Sequence, residues 1–381
     1  MALVDAPPLL LPKARLDDLL GLLAADGFEV LGPQVDQGAI IYGPVRTAAD
    51  LPWGWTDRQS PGSYRLEAGD RSTCFGFAVG PHSWKRYLFP PTLTLWRARR
   101  SGRGVTVEEP PAEASRRALV GIRACELAAI AVQDRVFLDR AGRWTDPHYA
   151  RARAALLLVA VECEQPAGTC FCAAMGTGPA VPPGAADLTL TELDEGFVAR
   201  AGTSHGAALL ARLALEEAGA ADRAEAERRV AAAAERMGRT PDVHDVRALL
   251  HRNQEHPRWD AVAARCLGCT NCTLVCPTCF CSAVEETTDL DGSSVERVRR
   301  WDSCFTPAFA QVHGGNFRPT LRARYRQWLT HKFASWYDQF DTSGCVGCGR
   351  CITWCPVGID VTEEIGAIRA TDGAREAEVQ P

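Results

Sequence analysis

Two runs of cysteine define the chemistry open to this chain. One is Cys266-x2-Cys269-x2-Cys272-x3-Cys276-Pro277; the other is Cys345-x2-Cys348-x2-Cys351-x3-Cys355-Pro356. Three thiolates at this spacing bind three irons of a [4Fe–4S] cube, and the fourth, before proline, closes the partner cube. The expected ligand sets are therefore crossed. Cluster one takes Cys266, Cys269, Cys272 and Cys355; cluster two takes Cys345, Cys348, Cys351 and Cys276. Structural zinc calls for cysteine pairs in groups of four ligands. Zinc leaves the third cysteine at x2 spacing and the Cys-Pro ending unexplained, and both occur twice. Electron carriage fits these residues best.

Eight cysteines lie outside the two runs. Cys125 closes the predicted strand Ile122–Cys125, and Cys163 closes another, Val159–Cys163. On neighbouring parallel strands both thiols would reach one sheet edge, where sites in α/β sheets form. Cys170 and Cys172 follow Cys163 after a short loop. Cys125, Cys163, Cys170 and Cys172 could thus converge on a third iron–sulfur cluster. Two other readings stay open: buried thiols packing as small apolar groups, which suits Cys74 best, or a dithiol that meets a sulfur substrate. Cys279, Cys281 and Cys304 come close behind the first run. They could hold a cluster with an outside fourth ligand, or simply pack beside one. The string Thr169-Cys170-Phe171-Cys172 recurs as Thr278-Cys279-Phe280-Cys281.

Mixed elements must position these thiols. Leu16, Leu19, Leu20 and Leu23 form a helical stripe, with Gly27 as a C-terminal cap before the strand-like Phe28–Leu31. Ala39–Tyr42 and Ala118–Ile122 read as strands. Ala155–Val161 is apolar throughout, as a strand covered on both faces would be. Pro179–Gly184 reads as a loop, and Ala207–Arg239 is rich in the helix formers Ala, Glu and Arg. The 68 residues between the Cys runs must hold structure of their own. Within them Leu321, Tyr325, Trp328, Leu329, Phe333, Trp336 and Phe340 keep helical spacing. The fold class expected is α+β. A mixed α/β domain (1–205) precedes a helical connection (206–260), an α-helical dicluster ferredoxin domain (261–370) and a polar tail (371–381).

At 381 residues the chain is long enough for two cores. Its 46% hydrophobic and 23% charged residues suit a globular protein, and a net charge of −5 argues against nucleic acid as partner. The apolar run Ala154–Val161 is far too short to span a bilayer. No signal peptide is legible in Met1–Asp5 and the prolines after it. Sixteen cysteines without an export signal suit metal ligation in a reducing cytoplasm. No G-x-G-x-x-G follows a strand and no G-x-x-x-x-G-K-[ST] occurs, so oxidation of NAD(P)H is expected to belong to another subunit. Arg318, Arg322, Arg324, Arg326 and Lys332 flank the second run. There they could raise a cluster's potential, form a solvated face or dock an acidic partner.

Several strings together resemble one family. They are Arg123-Ala-Cys125, Cys170-Phe-Cys172 followed by Ala174-Met-Gly-Thr-Gly178, Cys276-Pro-Thr-Cys279, Trp301-Asp-Ser-Cys304, His331-Lys-Phe333 and Cys345-Val-Gly-Cys-Gly-Arg-Cys351. They look like the beta subunit of cytoplasmic sulfhydrogenase-type [NiFe] hydrogenases, and are similar to the A subunit of anaerobic sulfite reductase. Glu126 stands where relatives often carry Asp. The resemblance implies an iron–sulfur subunit relaying electrons between a flavin-containing NAD(P)H subunit and a catalytic partner, either [NiFe] hydrogenase subunits or a sulfite reductase subunit. A sulfur or polysulfide reductase in its own right, and a scaffold whose metals serve stability alone, are the competing functions.

Overall fold

The computed structural model describes residues 7–102, 104–109, 115–138 and 144–373. Most of the polar tail and the first residues of the N-terminus lie outside them. Four parallel strands, Glu29–Asp36, Arg117–Ile122, Leu156–Val161 and Leu188–Glu192, run side by side in an eight-stranded sheet. Ala39–Pro44 adds to one edge; Gly196–Ala201, Leu9–Pro12 and Glu216–Glu217 extend the other, all antiparallel.

Alternation along the central strands explains their unbroken apolar sequence. Ala118, Val120, Leu157, Val159 and Val161 face helices Leu16–Ala25 and Ser204–Leu213, and share a core with Leu16, Leu19, Leu20, Leu23, Leu209 and Leu213. Leu119, Ile122, Leu158 and Ala160 face the other way, onto Leu127 and Ile130 of helix Ala124–Phe137 and Tyr149 of helix Pro147–Ala154. Period-two side-chain direction and two covering layers require apolar residues at every position. Gly27 ends the first helix at φ +81°, the left-handed conformation expected of its cap.

The C-terminal half builds a second core from helices Val246–Arg252, Arg258–Ala263, Leu321–Thr330 and Val361–Ala370. Trp259, Tyr325, Trp328, Leu329, Phe333, Ile365 and Ile368 fill it. The predicted aromatic stripe follows helix Leu321–Thr330, a π-helical turn over His331–Ser335, and helix Trp336–Phe340.

The surround of the Cys runs is not wholly helical. A hairpin, Ser282–Thr288 with Ser294–Trp301, stands between them. Val284, Thr287, Thr288, Val295 and Val298 favour strand, and Gly292 at φ +68° makes the turn. This hairpin pairs with Thr92–Ser101, and that strand with Gly104–Glu108, so both halves of the chain share one sheet. Among the described residues no helix is long and apolar enough to cross a membrane.

Candidate iron–sulfur sites

Both Cys runs fold alike. Each bends through left-handed residues, Gly268 and Thr270 in the first, Gly347 and Gly349 in the second, and then enters a short helix, Asn271–Leu274 or Arg350–Thr353. Within each bend an amide points at the first thiol: Gly268 N–H donates to Cys266 Sγ and Gly347 N–H to Cys345 Sγ, both at 3.4 Å. Ile359 N–H donates to Cys355 Sγ at 3.3 Å. Donors aimed at sulfur favour its anionic form.

Cys266, Cys269, Cys272 and Cys355 line one cavity with Phe305, Tyr325 and Trp328. Cys276, Cys345, Cys348 and Cys351 line a second with Phe171, Lys332 and Phe333. The crossed sets expected from the spacing are thus brought together. Cys351 lies on the wall between these two cavities and belongs to the lining of both. Lys332 is buried in the π turn, and its Nζ donates to Cys276 Sγ (3.3 Å), Thr278 Oγ1 (2.6 Å) and the Gly344 carbonyl (3.2 Å).

Cys125, Cys163, Cys170 and Cys172 line a third cavity, with Arg123, Met237 and Cys348. Strands Arg117–Ile122 and Leu156–Val161 are parallel neighbours, as this convergence requires. One detail differs from expectation. The first strand ends at Ile122, and Cys125 sits in the opening turn of helix Ala124–Phe137, because Ala124, Glu126 and Leu127 favour helix once Arg123 has capped it in extended conformation. Burial pushes all four thiols up, Cys172 to about 12. Such thiols become ligands only when metal replaces their protons.

The three cavities are of similar size. Among the described residues no three ligating side chains gather tightly enough to hold a single metal ion. The third cavity also has a buried cation. Arg123 is 3% exposed, donates to the Phe75, Phe77 and Glu162 carbonyls, and among the described residues forms no ion pair. The carboxylates of Asp57 and Glu164 lie within electrostatic reach of it.

The second and third cavities meet at a backbone-to-backbone contact. Phe171 N–H donates to the Gly347 carbonyl at 2.8 Å, and the Cys170 thiol to the Cys348 carbonyl at 3.8 Å. A Cβ at Gly347 would strike the Phe171–Cys172 peptide, and one at Gly349 the Thr169 carbonyl. Gly238 likewise abuts the Gly168 backbone, and Arg239 N–H holds the Cys170 carbonyl. Below this contact Arg350 and Glu126 form a fully buried ion pair at 2.7 Å, joining the residue beside Cys351 to the residue beside Cys125. Sequence reasoning missed this pair, although both partners adjoin cysteines that it had singled out.

The other expected residues divide clearly. Cys279, Cys281 and Cys304 line none of the three cavities. Cys74 is buried in the core of the large sheet. Of the five basic residues, Lys332 alone donates to a cysteine sulfur. Arg322 and Arg326 pair with Glu255, and Arg324 donates to the Arg318, Phe305 and Pro319 carbonyls.

A family model described as a 4Fe-4S dicluster domain matches residues 265–359. Sulfhydrogenase 2 subunit beta of Pyrococcus furiosus is 32% identical over 259 residues, 66% of this chain and 73% of the relative. The chain belongs to the sulfhydrogenase beta-subunit family. No solved structure matches it. As a member of that family with a dicluster domain, it is an iron–sulfur electron-transfer protein.

Proposed function

We propose that this sulfhydrogenase-type beta subunit holds three [4Fe–4S] clusters in series and passes electrons between a flavin subunit that oxidises NAD(P)H and [NiFe] hydrogenase subunits. Cys266, Cys269, Cys272 and Cys355 hold the first cluster; Cys276, Cys345, Cys348 and Cys351 hold the second; Cys125, Cys163, Cys170 and Cys172 hold the third. When bound, the clusters supply one-electron redox chemistry. The protein's own share is to hold the thiolates, exclude water and set local charge through Lys332 and Arg123.

One observation above all supports this order. Consecutive cavities share a cysteine: Cys351 lines the first and second, Cys348 the second and third. The hydrogenase partner is favoured by the printed name of the relative, a sulfhydrogenase subunit.

The anaerobically purified chain should show no bleaching of its cluster absorbance with NAD(P)H alone, and bleaching once a flavoprotein reductase is added. Bleaching by NAD(P)H in a flavin-free sample would overturn the division of labour.

A further inference from the structure

Two buried donors in the wall of the first cavity stand without an acceptor among the described residues. Tyr325 and Trp328 lie three residues apart on helix Leu321–Thr330, so they share one face, and their ring centres are 5.5 Å apart. Both line the cavity of Cys266, Cys269, Cys272 and Cys355. They are 2% and 5% exposed, and neither Tyr325 Oη nor Trp328 Nε1 forms a hydrogen bond there.

The protein's own oxygens do not account for them. Asp360 and Glu364, the buried carboxylates of this half among the described residues, are held by Arg239 and Thr362 and by Arg258 and Arg265. Apart from its thiols and Thr270 the wall is chiefly apolar, with Phe305, Ile359 and Val361 among its residues. A water needs several polar partners to settle in such a place. Buried donors are almost always bonded, and leaving one unbonded costs stability. The acceptors that this cavity does offer are sulfurs.

We infer that Tyr325 Oη–H and Trp328 Nε1–H donate to the sulfurs of the first cluster and raise its reduction potential. This rests on the cluster assigned above to that cavity. Reduction adds an electron to a cube whose negative charge lies largely on sulfur, so donors there favour the reduced form. Trp328 borders the second cavity too, but Tyr325 beside it lines the first alone, and the pair is assigned there on that ground. The second cavity is served differently, by the Lys332 ammonium at Cys276. The first cluster thus draws on neutral side-chain donors and the second on a cation.

The test is a redox titration of the full chain, anaerobically purified, with iron measured on every sample. The first cluster's EPR signal is the one that Cys269→Ser removes or alters. In Tyr325→Phe, held at the wild-type midpoint of that signal, the oxidised-to-reduced ratio should rise roughly five-fold, as the loss of one hydrogen bond implies, while the other signals stay fixed. Trp328→Phe should move the same signal the same way, which keeps the test decisive if Tyr325→Phe loses iron. After exchange into heavy water, pulsed EPR should find deuterons coupled to the first cluster that each variant lacks in part, a change that a merely structural role would not produce. Unmoved midpoints at wild-type iron content would overturn the inference, as would a shift shared by every signal or confined to another one. A wild type lacking the first signal would instead sink the cluster assignment before any variant is compared, and the inference with it.

Discussion

The string Thr-Cys-Phe-Cys occurs twice, and its two copies have different fates. In Thr169–Cys172 both thiols face one cavity, and Phe171, 1% exposed, is driven into the helical core of the other half. In Thr278–Cys281 neither thiol reaches any of the three cavities, and Phe280 is only half-buried, edge-on to Trp336 and Phe137. The difference lies in what each loop packs against. The first copy lies flush on Gly347 and Gly349 of the second Cys run, with Thr169 Oγ1 bonded to Thr353 Oγ1 at 2.8 Å. The second copy runs straight into a strand, Ser282–Thr288, whose ladder fixes its direction. Identical residues come to line a cavity or to stand outside all three according to the backbone beside them.

Truncating the two phenylalanines should separate the copies most sharply. Phe171→Ala is expected to cost about 3–5 kcal/mol, the usual loss for a fully buried ring, and Phe280→Ala clearly less. Urea unfolding of the two variants in parallel measures this. Equal losses would mean that the first copy is no better anchored than the second.

The glycine contact offers the next test. Gly349→Ala adds a Cβ against the Thr169 carbonyl at φ +73°, and roughly 1–3 kcal/mol of destabilisation should follow. The matched position in the first run already carries Thr270 at φ +70°, with no second loop to meet, so Thr270→Ala should change stability little. An equal loss from Gly38→Ala, at φ +74° with nothing within 4 Å of its added Cβ, would mean that backbone strain alone explains the glycine.

A smaller effect is expected at Lys332, which touches Cys276 beside the second copy. Lys332→Met removes a buried cation from one cluster, so that cluster's reduction potential should fall by on the order of tens of millivolts. Potentiometric EPR would show one signal displaced and the others fixed. A uniform shift of every signal would point to long-range charge instead.

Much of this was legible in the sequence because thiol spacing is itself geometry. The Cys-x2-Cys-x2-Cys bends and the Cys-Pro closures place eight sulfurs on two cavities, and the apolar run ending at Val161 announces a strand covered on both faces. The convergence of Cys125 with Cys163 followed from their places after two strands, although Cys125 proved to open a helix. What stayed hidden depends on contacts between distant segments. The Arg350–Glu126 pair spans more than two hundred residues, and the strand Thr92–Ser101 gives no sign in its own sequence that its partner is Ser294–Trp301. The roles of Gly347 and Gly349 were equally invisible, since only the neighbouring loop makes a side chain intolerable there.

Iron counting on two double variants tests the contrast most directly. Each cube holds four irons, so the wild type should contain about twelve per chain. Cys170→Ser with Cys172→Ser should retain about eight, whereas Cys279→Ser with Cys281→Ser should retain about twelve. A wild-type content of about eight that survives the first pair of substitutions, or an equal loss from both pairs, would contradict the assignment of the third cavity.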